Sequence, residues 1–118
     1  MPRDLRAYLW DVLEASNDIQ SFAVGQTLSS YAGNPMLQAA VERKFEIIGE
    51  ALAQLKRHFP HLVSRVSNYD QIIAFRNRLI HGYSTVSDAL VWDVVENGLP
   101  RLKQEADELL KEADSKNP

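Results

Sequence analysis

Asn34-Pro35-Met36-Leu37-Gln38-Ala39-Ala40-Val41-Glu42-Arg43-Lys44-Phe45-Glu46-Ile47-Ile48-Gly49-Glu50-Ala51-Leu52-Ala53-Gln54-Leu55 reads as one long amphipathic helix. Leu37, Val41, Phe45, Ile48, Leu52 and Leu55 recur at steps of three and four, which stacks them on one helical face. Asn34 supplies an N-cap, and Pro35 sits at the first helical position, where a missing N–H costs nothing. Pro60 closes the segment.

The same spacing continues outward. Leu5, Tyr8, Leu9, Val12, Leu13, Ile19, Phe22 and Ala23 predict a helix from about residue 3 to 25. Ser67 to Tyr83 predicts a shorter third helix ending near Gly82, a residue suited to a C-terminal cap. Ser87 caps a fourth, carrying Leu90, Val91, Val94 and Val95, then Leu99, Leu102, Leu109 and Leu110. Pro100 removes the hydrogen bond to the Glu96 carbonyl, and because the apolar spacing runs on across it, a kink is expected rather than a break at Asn97-Gly98. Sustained two-residue alternation is absent, so the reading is an all-α antiparallel helical bundle, with residues 1–118 as a single domain.

Composition narrows the function. The chain has 118 residues, no cysteine and a net charge of −3. Zero cysteine removes disulfides, thiolate nucleophiles and cysteine metal sites together. No apolar run approaches the roughly 18 residues of a membrane span, and Met1-Pro2-Arg3-Asp4 lacks a signal pattern, so a cytoplasmic location is expected. Between residues 56 and 83, Lys56, Arg57, Arg65, Arg76 and Arg78 face only Asp70, and all three histidines fall in the same stretch. A local basic segment on an acidic body permits contact with nucleic acid.

The third helix carries the strongest anomaly. Ile72, Ile73, Phe75, Leu79 and Ile80 span one arc at about 100° per residue, and Arg76 falls near its middle. An arginine there must either pair with a carboxylate, such as Glu46 or Glu50, or line a polar cleft. Asn77, Arg78 and His81 lie on the other side, and Arg76 and His81 point roughly 140° apart in an ideal helix. One chain therefore does not simply join them on a face; they converge if the last turn loosens before Gly82, or if two copies of the chain assemble one site. His58 and His61 flank Pro60 without a third ligand at metal spacing, so no metal site is expected. Gly49, inside the second helix, suits close helix packing.

Arg76-Asn77-Arg78-Leu79-Ile80-His81-Gly82-Tyr83 resembles the signature of the HEPN superfamily, in the R-x(4)-H-x-Y form of HepT-like toxins. The likeness includes Glu42 to Leu52 and Val91 to Leu102, in order and with matching spacing. It implies a HEPN-like bundle that pairs as a two-fold homodimer, with arginine and histidine from both chains facing one cleft. It also implies a ribonuclease without metal or other cofactor. His81 would act as general base or acid on the ribose 2′-hydroxyl or the leaving oxygen. Arg76 would hold the scissile phosphate, with Asn77, Arg78 and Tyr83 as supporting, substrate-binding residues. HepT-like toxins are paired with an MntA-type nucleotidyltransferase antitoxin that transfers AMP to the motif tyrosine, here Tyr83. The rival reading is a noncatalytic HEPN module that binds a nucleotidyltransferase or nucleotides.

Overall fold

Four helix starts are each fixed by a side chain that replaces a missing backbone partner. In the computed structural model, which describes residues 3–82 and 86–116, the Asp4 carboxylate accepts the Arg6 N–H at 2.9 Å and opens α1, Leu5–Ala23. Arg6 folds back onto the same carboxylate, which holds the Asp4 carboxyl down at about 2. Asn34 Oδ1 accepts the Leu37 N–H at 3.0 Å and opens α3, Pro35–His58, with Pro35 at its start as expected.

Between them lies a short helix that the apolar spacing did not predict, α2, Leu28–Ala32. Five residues are too few to show a period. A reciprocal cap forms it instead: Ser30 N–H donates to Thr27 Oγ1 and Thr27 N–H to Ser30 Oγ. Its Tyr31 is buried and packs on Trp92, ring centroids 5.3 Å apart. Pro60 ends α3 and starts a further single turn, α4, Pro60–Val63.

The third predicted helix is α5, Tyr69–His81, shorter than expected at both ends. Asn68 precedes it with φ 60°, a left-handed conformation that asparagine tolerates, and Gly82 caps it by donating its N–H to the Arg78 carbonyl at 2.8 Å. Gly82 does so at a negative φ of −132°, so its backbone freedom is not what ends the helix. Tyr83 lies outside the described residues.

The fourth segment keeps its helical path through Pro100. Ser87 Oγ accepts the Leu90 N–H and opens α6, Asp88–Asp93, which passes into a π-helical turn, Val94–Gly98, and then α7, Leu99–Lys116. Leu99 donates to the Val94 carbonyl, five residues back. The wider turn takes up the strain that the Pro100 ring and its missing N–H impose on an α-helical ladder.

Ion pairs and hydrogen bonds fix the directions. Arg6 meets Asp114 and Lys103 meets Gln20, so α1 and α7 run antiparallel. Lys56 meets Asp70 at 2.7 Å while Gly49 meets Arg76, so α3 and α5 do too. The core is shared by Leu9, Val12 and Ile19 of α1, the α3 stripe from Val41 to Leu55, Phe75 and Leu79 of α5, and Val91 to Leu109 beyond. Two members of the predicted α5 arc are only half-buried, Ile72 and Ile73, and Ile80 is 39% exposed. Among the described helices α5 packs chiefly on α3, so one neighbour covers only part of the arc. No helix among the described residues is long and apolar enough to cross a membrane.

Candidate active site

Gly49 decides where Arg76 goes. The α3 helix has no side chain at that point, and the stem of Arg76 lies directly over it. A Cβ on Gly49 would overlap Arg76 Cβ and stand 2.5 Å from its Cγ and 3.3 Å from its Nε. The expected role of this glycine in close packing is thereby seen. The guanidinium emerges at the α3–α5 seam, 16% exposed, with Nη1 3.3 Å from Oε2 of Glu50. Glu46, the other carboxylate considered, turns toward Arg43 at 4.0 Å.

That pair leaves Arg76 incompletely satisfied. Glu50 is 57% exposed, and while its Oε2 meets Arg76 its Oε1 accepts the Gln54 side-chain amide at 3.0 Å, so the pair is not a bidentate clamp. Arg76 Nε is buried and meets no hydrogen-bond acceptor among the described residues. A guanidinium carries five N–H donors, and one carboxylate contact uses few of them.

On the far side of α5, Asn77, Arg78 and His81 are exposed. His81 is the last residue of the helix, at the negative end of its dipole. Arg78 lies one turn before His81, the spacing at which helical side chains are neighbours. The structure thus brings Arg78 and His81 to one side of α5 and Arg76 to the other, as the helical wheel requires.

A groove of about 520 Å³ opens between α5 and the π-helical turn, with Ile72, Phe75, Leu90 and Val94 in its wall and Arg78 and Arg101 at its rim. Arg101 was missed as a site residue by the reading of the sequence, which used this segment for its apolar stripe and for the family likeness; an arginine two residues after the buried Leu99 was its one signal.

Carboxylates gather near the other end of the seam. Glu42 is half-buried, and burial, then the charges of Glu46 and Asp88, push its carboxyl above the usual range. Burial, Glu42 and Asp88 likewise push the Tyr31 phenol far up, so it stays neutral.

Residues 12–109 match the family model described as HepT-like, ribonuclease HepT-like. The chain belongs to the HepT-like ribonuclease family. Relatives of this HepT-like chain agree with that placement over nearly their whole length. A protein of Methanocaldococcus jannaschii named as a proposed RNase is 33% identical over 105 residues, covering 89% of this chain and 95% of its own. A second from the same organism, also named as a proposed RNase, is 32% identical, with coverage of 99% and 97%. A protein of Thermococcus cleftensis named probable ribonuclease HepT is 31% identical, with coverage of 94% and 100%. No solved structure matches. The R-x(4)-H stretch of this HepT-like chain falls inside the matched region, on α5.

Proposed function

We propose that this chain is the toxin of a type VII HepT/MntA toxin–antitoxin system, a ribonuclease that cleaves RNA without a metal ion. The observation that carries the reading is the division of the motif across α5. Arg76 is held at the α3–α5 seam with donors unused, and His81 stands exposed on the opposite side. Two copies related by a two-fold axis offer each Arg76 the His81 of its mate, and the family match supports this arrangement.

The chemistry needs no further group. RNA supplies its own nucleophile, so neutral His81 takes the 2′-hydroxyl proton, the 2′ oxygen attacks the adjacent phosphorus to form a 2′,3′-cyclic phosphate, and the bond to the 5′ oxygen breaks as that oxygen takes up the proton His81 has gained. Arg76 binds the scissile phosphate and meets the charge that develops on its oxygens. Asn77 and Arg78 orient the strand beside His81. AMP placed on Tyr83 by an MntA-type nucleotidyltransferase would bring a phosphate and a bulky base to the substrate position and silence the toxin.

Subunit mixing tests the composite site. Arg76→Ala and His81→Ala chains, each inactive, are denatured together and refolded. Random pairing makes half the dimers mixed, each with one intact site, so about a quarter of wild-type cleavage returns. No recovery, with mixed dimers present, contradicts the shared site. Mass spectrometry of protein coexpressed with the nucleotidyltransferase tests the modification, and unmodified Tyr83 in a suppressed toxin contradicts it.

One observation favours the noncatalytic HEPN module instead: the Arg76–Glu50 pair could serve only to hold α5 on α3. In that case His81→Ala leaves every activity of the protein unchanged.

A further inference from the structure

The groove between α5 and the π-helical turn has no assigned role, and its chemistry is uneven in an informative way. Its wall is aliphatic and aromatic, from Ile72, Phe75, Leu90 and Val94. Its rim is polar. Asp93 accepts the Asn97 amide at 2.7 Å, and at the Ser67 end Glu105 accepts both the Ser67 N–H and its hydroxyl, at 3.0 and 2.7 Å. Asp93 in the groove lining and Glu105 beside Ser67 are therefore engaged by local donors. Arg101 is not: it is exposed and has no hydrogen-bond or ion-pair partner among the described residues.

We infer that this groove is a nucleotide subsite of the RNA strand, in which Arg101 and Arg78 take backbone phosphates and the apolar wall takes one unstacked base. The inference rests on the ribonuclease reading and adds to it a residue, Arg101, outside the R-x(4)-H-x-Y motif. A volume of about 520 Å³ falls within the usual range for small-ligand sites. Asn68, Gln71 and Asn97 line the groove with amide groups suited to base edges. The π-helical turn shapes the wall opposite α5 by shifting register between Val94 and Gly98, a distortion common at functional sites. Direction fits as well, because Arg78 at the rim is one turn from His81 on the same side of α5. A strand seated in the groove and running toward the C-terminus of α5 arrives at the histidine. A polyanion matches the arginines of this rim in charge.

The test is binding of a short fluorescein-labelled single-stranded RNA to His81→Ala protein, by anisotropy across a salt series, with and without Arg101→Glu. Light scattering and thermal melting accompany it. The subsite predicts several-fold weaker binding in the Arg101→Glu protein. It also predicts a slope against log salt that is shallower by about 0.7 for each phosphate the protein no longer neutralises, at unchanged mass and melting temperature. Unchanged affinity and slope overturn the subsite and leave the ribonuclease reading standing. A change in mass overturns it in favour of a groove covered by a second copy. Failure of RNA to bind even before the Arg101 substitution overturns both readings together.

Discussion

Replacing Gly49 by alanine puts a methyl group where α5 already sits. The new Cβ would overlap Arg76 Cβ, an atom fixed to its own backbone, so no rotation of the arginine side chain relieves the clash. The helices must separate. Overpacking of this kind costs about 1–3 kcal/mol, and the helix propensity gained by removing a glycine returns about 1. The net expectation is a loss of up to about 2 kcal/mol, or a melting temperature lower by up to roughly 8 °C for a domain of this size. Activity should fall further than stability, because the displaced atoms carry the guanidinium. Circular dichroism melts and RNA cleavage at a temperature where both proteins are folded measure the two effects separately. Gly98→Ala is the control: its Cβ would meet nothing closer than Val94 Cγ1 at 3.5 Å, so stability should hold or rise. A Gly49→Ala protein that melts at or above the wild-type temperature with full activity would refute the close-approach argument.

Other expectations follow from the same contacts. Glu50→Gln should move stability by less than about 1 kcal/mol, since its carboxylate is mostly exposed. It should lower cleavage by loosening the guanidinium, which a melt and a rate measurement on the same sample distinguish. Glu42 has a folded-state carboxyl above its usual range, so its ionisation costs stability as pH rises from the unfolded value through the folded one. Glu42→Gln should therefore raise the melting temperature at pH 7, with the gain vanishing under acidic conditions where the native glutamate is protonated. Glu112 is the opposite case: hydrogen bonds from Arg65 hold its carboxyl down at about 2, so its contribution is present above the usual carboxylate range and is lost as pH falls toward that value. Carbon-detected NMR titration of the Glu112 carboxyl reads this directly, and an ordinary midpoint would contradict the Arg65 contact. Phe45→Ala removes a buried ring packed edge-on against Phe75, centroids 5.2 Å apart, and should cost about 3–5 kcal/mol in denaturant unfolding.

The long helices were legible because Leu9 to Ile19 and Val41 to Leu55 repeat often enough to show a period, and because Asn34, Ser87 and Gly82 mark ends. The short turns at Leu28–Ala32 and Pro60–Val63 carry no period, and they form through a cap and a proline. Pro100 announced a disturbance, but not that the chain would absorb it as a π-helical turn before the proline. For the site, the wheel correctly set Arg76 and His81 on different sides of α5, and Glu50 was one of two carboxylates weighed as partner. Choosing between Glu46 and Glu50 needed the crossing point of α3 and α5, which depends on the fit of Gly49 under Arg76. Ile80 was placed on the apolar arc because the wheel shows spacing but not how many neighbours cover it. The groove at Arg101 joins residues far apart in the chain, so no local pattern announced it.

Cleavage of total cellular RNA by purified, antitoxin-free protein in EDTA, with His81→Ala beside it, tests the central claim most directly. The account predicts cleavage by the wild type and a loss of about 10²–10⁴-fold in the variant, the usual worth of a general acid or base. Equal cleavage by both proteins, or none by unmodified wild-type protein, would contradict it and return Arg76 to holding α5 against α3.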